Sequence, residues 1–420
     1  MNDIEAELEE LHKLGLYRST RMISGPQGPQ VLLDGRPVLL FCSNNYLGFA
    51  DHPRVREAAA DAAMRWGVGA GASRLVSGTM TIHDTLEQQL AEFAGTEGCV
   101  LFGSGYLANI GVISALARRD SLVFSDALNH ASIIDGCRLA RADTFIYEHC
   151  DLDHLAWGLG KAAPGAVIVT DSIFSMDGDI APLSEICELA ARHKARVVVD
   201  EAHAIGTIGP GGRGVVAAAG LQDAVDVVVG TLGKALGSYG AFACASSEIV
   251  EYLVNVSRPL IFSTAPPPPA IAGALAALEL LVEQPRRVEK LQANSATMRA
   301  ELERAGVPAP AGLTQIIPLV IGDAAATVAL SAAALDRGVF VQAIRPPTVA
   351  PGSSRLRIAT MASHTASELA RAATAIAGAA ADAGITFSAA ATPPSAAKKK
   401  RKRARSQSDG SDAAVAAHAA

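Results

Sequence analysis

Two valine-rich runs lie close together in the chain, and each ends abruptly in polar residues. Val197-Val198-Val199 leads into Asp200-Glu201-Ala202-His203, and Val227-Val228-Val229-Gly230 leads into Thr231-Leu232-Gly233-Lys234. β-Branched runs bounded by glycine read as strands buried on both faces, as in parallel sheets covered by helices. Ligands in open α/β sheets bind beyond the carboxyl ends of the strands. Asp200, His203, Thr231 and Lys234 are therefore expected to meet in one crevice.

The surrounding pattern supports an α/β fold. Further strands are expected at Cys99–Phe102, Leu122–Phe124, Thr144–Tyr147, Ala166–Thr170 and Ala241–Cys244, with Arg196–Val199 and Val225–Val229 carrying the two runs. Helical stretches such as Leu183–His193 separate most of them, which predicts a mostly parallel sheet with helices on both faces. Asp51-His52-Pro53 reads as a helix start with a capping side chain, and Ile82, Leu86, Leu90 and Phe93 as an apolar helix stripe stopped by Gly95.

Beyond Gln284-Pro285 the pattern shifts to helices at Val288–Ala305, Ala325–Arg337 and Ala366–Ala381 and strands at Gln315–Ile321, Val339–Ile344 and Arg355–Ala359. The organisation expected is an N-terminal helix and arm (1–50), a large α/β domain (51–284), a smaller α+β domain (285–387) and a disordered basic tail (388–420). That tail carries Lys398-Lys399-Lys400-Arg401-Lys402-Arg403 and too few large apolar residues to bury a core.

The net charge of −6 includes this tail, so the body is more acidic still, which argues against a nucleic-acid partner. Six scattered cysteines without a CxxC pair suit free thiols in a reducing, cytoplasmic compartment. The uncharged stretch Pro259–Leu278 is interrupted by four consecutive prolines and does not read as a membrane span. No metal is expected, because the cluster His149, Cys150, Asp151, Asp153, His154 matches no zinc-ligand spacing and reads as a polar turn opening a helix.

An amine, a carboxylate and a hydroxyl at adjacent strand ends are what pyridoxal 5′-phosphate requires. Lys234 offers the Schiff-base nitrogen, Asp200 a partner for the pyridinium nitrogen, Thr231 a phosphate contact, and His203 reaches the ring's phenolic oxygen. Gly230-Thr231-Leu232-Gly233-Lys234 is no P-loop: the first glycine of that motif would fall at Val228, and Ala235 replaces the Ser/Thr that holds magnesium. Gly103-Ser104-Gly105-Tyr106 follows a strand and opens a helix, a seat for a phosphate. His130 and Ser175, at two further strand ends, complete the set as a ring-stacking residue and a cofactor hydrogen-bonding residue.

Ser43-Asn44-Asn45-Tyr46-Leu47-Gly48, Ser125-Asp126 with His130, the turn Phe174–Asp179, Asp200–His203 and Thr231–Lys234, in that order, resemble the α-oxoamine synthases. The resemblance runs from Leu16 to Ala381 and implies a fold-type I pyridoxal-phosphate transferase that joins an amino acid to an acyl thioester with loss of carbon dioxide. Ala343–Val349 with Arg355-Leu356-Arg357 resembles the biotin-pathway branch, which implies L-alanine and a pimeloyl thioester, on CoA or acyl carrier protein, as substrates. A sister activity on glycine or serine with another acyl-CoA, as in 2-amino-3-ketobutyrate CoA ligases, is the alternative.

The resemblance further implies that Gly105 and Tyr106 seat the phosphate and that Arg18 and Thr348 touch the acyl substrate. Arg357, with Asn44, would hold the α-carboxylate of alanine. In a homodimer, Ser263 and Thr264 would reach the partner's cofactor phosphate. Arg355, on the same face of its strand as Arg357, is expected to point to solvent. Deleting the chain after Ser388 is expected to leave steady-state turnover unchanged, and comparing truncated with full-length protein checks it.

Overall fold

A computed structural model of the chain describes residues 3–385 and residue 387. The tail foreseen from Ser388 lies outside the described residues. The centre is a seven-stranded sheet of β1 (Gly98–Phe102), β2 (Leu122–Asp126), β3 (Asp143–Tyr147), β4 (Val167–Asp171), β5 (Arg196–Asp200), β6 (Val227–Thr231) and β7 (Ala241–Ala245), in the order β1-β7-β6-β5-β4-β2-β3. Only β7 runs antiparallel to its neighbours within this sheet.

The pleat divides each valine run between two cores. Val197, Val199 and Val228 pack into one, and Val198, Val227 and Val229 into the other. Gly230 follows because a Cβ there would lie 2.2 Å from the Phe242 ring. Asp171 pairs in register with Asp200, and Asp200 with Val229, so β4 and β5 end level with each other and β6 runs two residues further to Thr231.

Helix starts and stops follow local chemistry. The helix Thr81–Ala94 ends at Gly95, whose φ of 74° is left-handed, as expected of a stop signal. The helix Pro53–Trp66 corrects the cap expected of Asp51: His52 occupies the cap position without a side-chain bond, and the Asp51 carboxylate instead takes Arg56 at 3.2 Å.

Two smaller sheets bring the chain ends to the large one. Ile316–Gly322, Ser354–Ala359 and Gln342–Ile344 form a three-stranded sheet. Ile23–Ser24, Gln30–Leu33 and Arg36–Leu40 form another, unforeseen, whose last member is Val339–Phe340. The single strand expected over Val339–Ile344 is thus two strands in different sheets. They separate at buried Val341, whose carbonyl is taken by the Ser331 hydroxyl at 2.6 Å. Among the described residues no helix is long and apolar enough to cross a membrane.

The junction of N- and C-terminal segments is held by His364. Its ring stacks on Phe41 with centroids 4.2 Å apart, Nδ1 accepts the Met361 N–H at 3.0 Å, and Nε2 therefore carries the proton shared with the Leu40 carbonyl at 3.1 Å. The Ala359 N–H donates to the Phe41 carbonyl and the Ala362 N–H to the Tyr46 carbonyl, each at 2.7 Å. This stitching sets Asn44 and Tyr46 beside Arg357. Burial lowers the His364 pKa to about 4, with Glu368 opposing. The folded ring is neutral while the unfolded one protonates near 6.5, so unfolding takes up a proton and stability is lost as pH falls from 6.5 towards 4. His364→Gln is expected to be less stable at pH 7 yet to show a shallower decline in Tm on acidification, checked by thermal melts across that range.

Candidate active site

Lys234 sits in the turn after β6, half-buried, with Nζ 2.9 Å from His203 Nε2. Burial pulls its amine down to about 8, Asp200 and Asp171 opposing and Arg357 assisting. A lysine in that state offers a neutral, nucleophilic nitrogen far more often than one in water. His203, buried, has its other nitrogen 2.7 Å from the Tyr46 hydroxyl; burial and then Lys234 hold it well below the ordinary histidine value. Both contacts favour a neutral ring.

Asp200 is buried at the end of β5. One oxygen accepts the Ala202 N–H at 2.8 Å and the other the Asn109 amide at 2.6 Å. His130 caps the helix Ala131–Ala140, its backbone N–H donating to Asp171 at 2.7 Å and the residue lining the cleft. The cleft has a volume of about 240 Å³, and its walls include Asn44, His130, Ser175, His203, Lys234 and Arg357.

Arg357 is buried and uses three donors on three partners: Nε on the Ser175 carbonyl at 2.5 Å, Nη1 on Asn44 Oδ1 and Nη2 on the Tyr46 hydroxyl, both at 3.3 Å. Arg355 corrects the sequence expectation. It does share the face of Arg357, but that face is covered by the turn Phe174–Asp179, so Arg355 is buried and ion-paired with Asp177. The turn needs Gly178, whose φ is 72° and whose Cβ would stand 2.6 Å from the Ile316 carbonyl. From its far side His149 holds the turn, with Nδ1 2.9 Å from Asp126 and Nε2 2.7 Å from Asp179. Although burial lowers it, these two carboxylates raise the His149 pKa to about 12. Asp126, His149 and Cys150 are close enough to share an ion, but both imidazole nitrogens are already engaged by carboxylates.

The remaining candidates fall into three places. Gly105 opens the helix Gly105–Leu116 beside Thr231, a Cβ on it reaching within 3.9 Å of the Thr231 side chain; Thr231 itself bonds the Gly240 carbonyl and the Gly233 N–H. Tyr106 is next, its exposed side chain turned away to donate to Asp135. Arg18 and Thr348 line a second cavity of about 640 Å³, which shares Gln342 and Ile344 with the cleft. Ser263 and Thr264 lie outside the cleft lining, Thr264 bridged to Ser73. Sequence reasoning missed Tyr46, Asn109 and Ser132 as site residues. Asn109 carried a signal, being a polar residue in an otherwise apolar helix face, which obliges a buried partner.

The donor set fits pyridoxal phosphate. The Gly105 and Tyr106 amides at the helix start have no partner among the described residues and stand with the Thr231 hydroxyl, as an anion would need. Asp200 has its two oxygens tied down by neutral donors, leaving its charge for a protonated ring nitrogen.

By sequence, residues 36–376 match the family described as aminotransferase class I and II. The chain is 53% identical over 367 residues to the 8-amino-7-oxononanoate synthase of Anaeromyxobacter dehalogenans, covering 87% of this chain and 92% of that one. Among solved structures it resembles the serine palmitoyltransferase of Sphingomonas wittichii, with a TM-score of 0.86 and 33% identity over 92% of this chain and 98% of that one. It also resembles the 8-amino-7-oxononanoate synthase of Francisella tularensis, with a TM-score of 0.71 and 25% identity over 83% and 99% of the two chains.

Lys234→Ala is expected to abolish both turnover and the visible absorbance of lysine-bound cofactor, with fold retained. Absorbance spectra and circular dichroism of the purified variant check it.

Proposed function

The chain belongs to the aminotransferase class I and II family and, within it, to the 8-amino-7-oxononanoate synthases, and on that premise we propose that it condenses L-alanine with a pimeloyl thioester. The products are 8-amino-7-oxononanoate, carbon dioxide and the free thiol of CoA or acyl carrier protein, a step of biotin biosynthesis. The observation that carries this reading is the meeting of Lys234, His203 and Arg357 around one cleft, with Asp200 buried at the end of β5 and a larger cavity that shares Gln342 and Ile344 with the cleft lining.

Pyridoxal phosphate, when bound, supplies an electrophile for the amine of alanine and a ring that withdraws the electron pair released at Cα. Lys234 would hold it covalently, Asp200 its ring nitrogen, His203 its phenolic oxygen, and Gly105, Tyr106 and Thr231 its phosphate, with His130 against the ring and Ser175 beside it. The Lys234 amine, when free, would take the proton from Cα, a task suited to a nitrogen whose pKa burial lowers. Arg357 grips the alanine carboxylate, with the Asn44 amide assisting, so that first the C–H and later the C–carboxylate bond is oriented for cleavage. Cα then bonds to the thioester carbonyl carbon as the C–S bond breaks, the thiolate takes a proton from solvent, carbon dioxide leaves and the proton held by Lys234 returns to Cα. Arg18 and Thr348 in the adjoining cavity receive the acyl chain.

The proposal includes a homodimer. Leu75, Val76 and Phe262 are exposed apolar residues beside the Ser73–Thr264 bridge, which suits a surface where Ser263 and Thr264 approach the partner's phosphate. It also includes a reducing, cytoplasmic setting, in keeping with the free state of the cysteines, and a large domain over 51–284 with a smaller one over 285–387. A sister reaction on glycine or serine is not favoured: the serine palmitoyltransferase likeness is at 33% identity, against 53% for the synthase relative.

Thiol release from pimeloyl-CoA is expected with L-alanine and weakly with glycine or L-serine, because a methyl or hydroxyl is worth only ~1–3 kcal/mol in a pocket. Arg357→Lys, which cannot grip a carboxylate bidentately, is expected to raise the L-alanine concentration for half-saturation roughly tenfold or more while the resting spectrum persists. An unchanged half-saturation would sink the carboxylate role.

A further inference from the structure

Behind the cleft wall runs a buried polar chain that links Asp200 to His130. Asn109 is 1% exposed, and its Nδ2 donates both hydrogens, to Asp200 Oδ2 at 2.6 Å and to Ser132 Oγ at 2.8 Å. The amide has one possible orientation. Reversed, its oxygen would face the Asp200 carboxylate with no hydrogen between them. Ser132, fully buried, lies 2.7 Å from His130 Nδ1, and its backbone N–H donates to the same nitrogen at 3.3 Å.

A hydroxyl has one hydrogen to give. Ser132 Oγ already accepts from Asn109, and among the described residues His130 Nδ1 is its one remaining partner, so its hydrogen goes there. Nδ1 thus accepts from two donors, and the single proton of a neutral imidazole must sit on Nε2. Protonating Nδ1 would take from the Ser132 hydroxyl and the Ser132 N–H the acceptor they share, and an unmade buried bond costs about 1–3 kcal/mol.

We propose that Asn109 and Ser132 are positioning residues that lock His130 as the neutral Nε2–H imidazole, so that it presents the cleft with a hydrogen-bond donor and not a base. What that donor meets, an oxygen of alanine or of the acyl thioester, rests on the condensation reading above. The device also ties the ring to the carboxylate that would hold the cofactor nitrogen, because one amide serves both. The charged and titratable groups facing His130 are Asp200, Lys234, His203 and Arg357 around the cleft and Asp171 at its backbone N–H. Burial holds the imidazole below its ordinary value, with Asp200 opposing and Lys234 assisting, in keeping with a neutral ring.

The test uses holoenzyme labelled with nitrogen-15 histidine, the His130 signals being assigned by their loss in His130→Gln. The expected spectrum has Nδ1 unprotonated and Nε2 protonated throughout neutral pH. In Ser132→Ala the nitrogen that lost its donor takes a proton more readily. The His130 titration and the acidic limb of kcat/KM for L-alanine are then expected to move up by roughly half to one pH unit. Ser132→Thr, which keeps the hydroxyl, is expected to restore both. A wild-type spectrum with the proton on Nδ1 overturns the proposal by itself, even where Ser132→Ala does not fold. So does a folded Ser132→Ala whose rate falls evenly at every pH with the histidine titration unmoved. Absence of thiol release by the wild-type enzyme would count against the condensation reading and leave the spectroscopic arm intact.

Discussion

The guanidinium of Arg357 is the point at which three stretches of chain far apart in sequence become one site. Its three donors reach the Ser175 carbonyl, the Asn44 amide oxygen and the Tyr46 hydroxyl. Tyr46 passes the connection on to His203, and His203 to Lys234. The amine that follows β6 is therefore tied, through the side chains of His203, Tyr46 and Arg357, to a strand of another sheet. A buried guanidinium needs such partners, since a missing one leaves a charged donor unsatisfied in a poor solvent. Removing any of the three acceptors disturbs the position of the cation as well as its energy.

The turn Phe174–Asp179 shows the same logic on a smaller scale. His149 holds it through Asp179, Arg355 through Asp177, and the Thr314 hydroxyl through the Gly178 carbonyl at 2.6 Å. Three anchors from different elements fix the loop that carries Ser175 into the cleft. Because each anchor is charged or buried, the loop behaves as part of the scaffold and not as a mobile rim.

The middle of the large sheet was legible because Val167–Asp171, Arg196–Asp200 and Val227–Thr231 are short apolar runs, buried on both faces and closed by Asp or Thr. The same closure marked Asp200 and Lys234, whose chemistry stands out against the valines before them. Other features were hidden for physical reasons. A run such as Val339–Ile344 is equally apolar whether it serves one sheet or two, so its division at Val341 depends on which neighbours arrive. Alternation placed Arg355 and Arg357 on one face but could not say what covers that face. The links of Asn109 to Asp200 and of Tyr46 to His203 join residues distant along the chain, and local pattern carries no trace of such pairs. The strands between Ile23 and Leu40 are two to five residues long, and one of them begins Arg36-Pro37, which gives little periodic signal.

The pairing of Leu39 with Val339 and Leu40 with Phe340 closes a loop spanning most of the described chain. Contacts of that separation are slow to form, because the entropy of closure is lost before the contact stabilises anything. During synthesis the large sheet can assemble while the ribosome is still making the segment that contains Arg357. The first fifty residues then wait, with Asn44 and Tyr46 lacking their counterpart, until Ser354–Ala359 emerges. The cleft is thus completed among the last steps of synthesis, and a chain stopped short of that strand would carry the Lys234 amine without the guanidinium that shares its cleft.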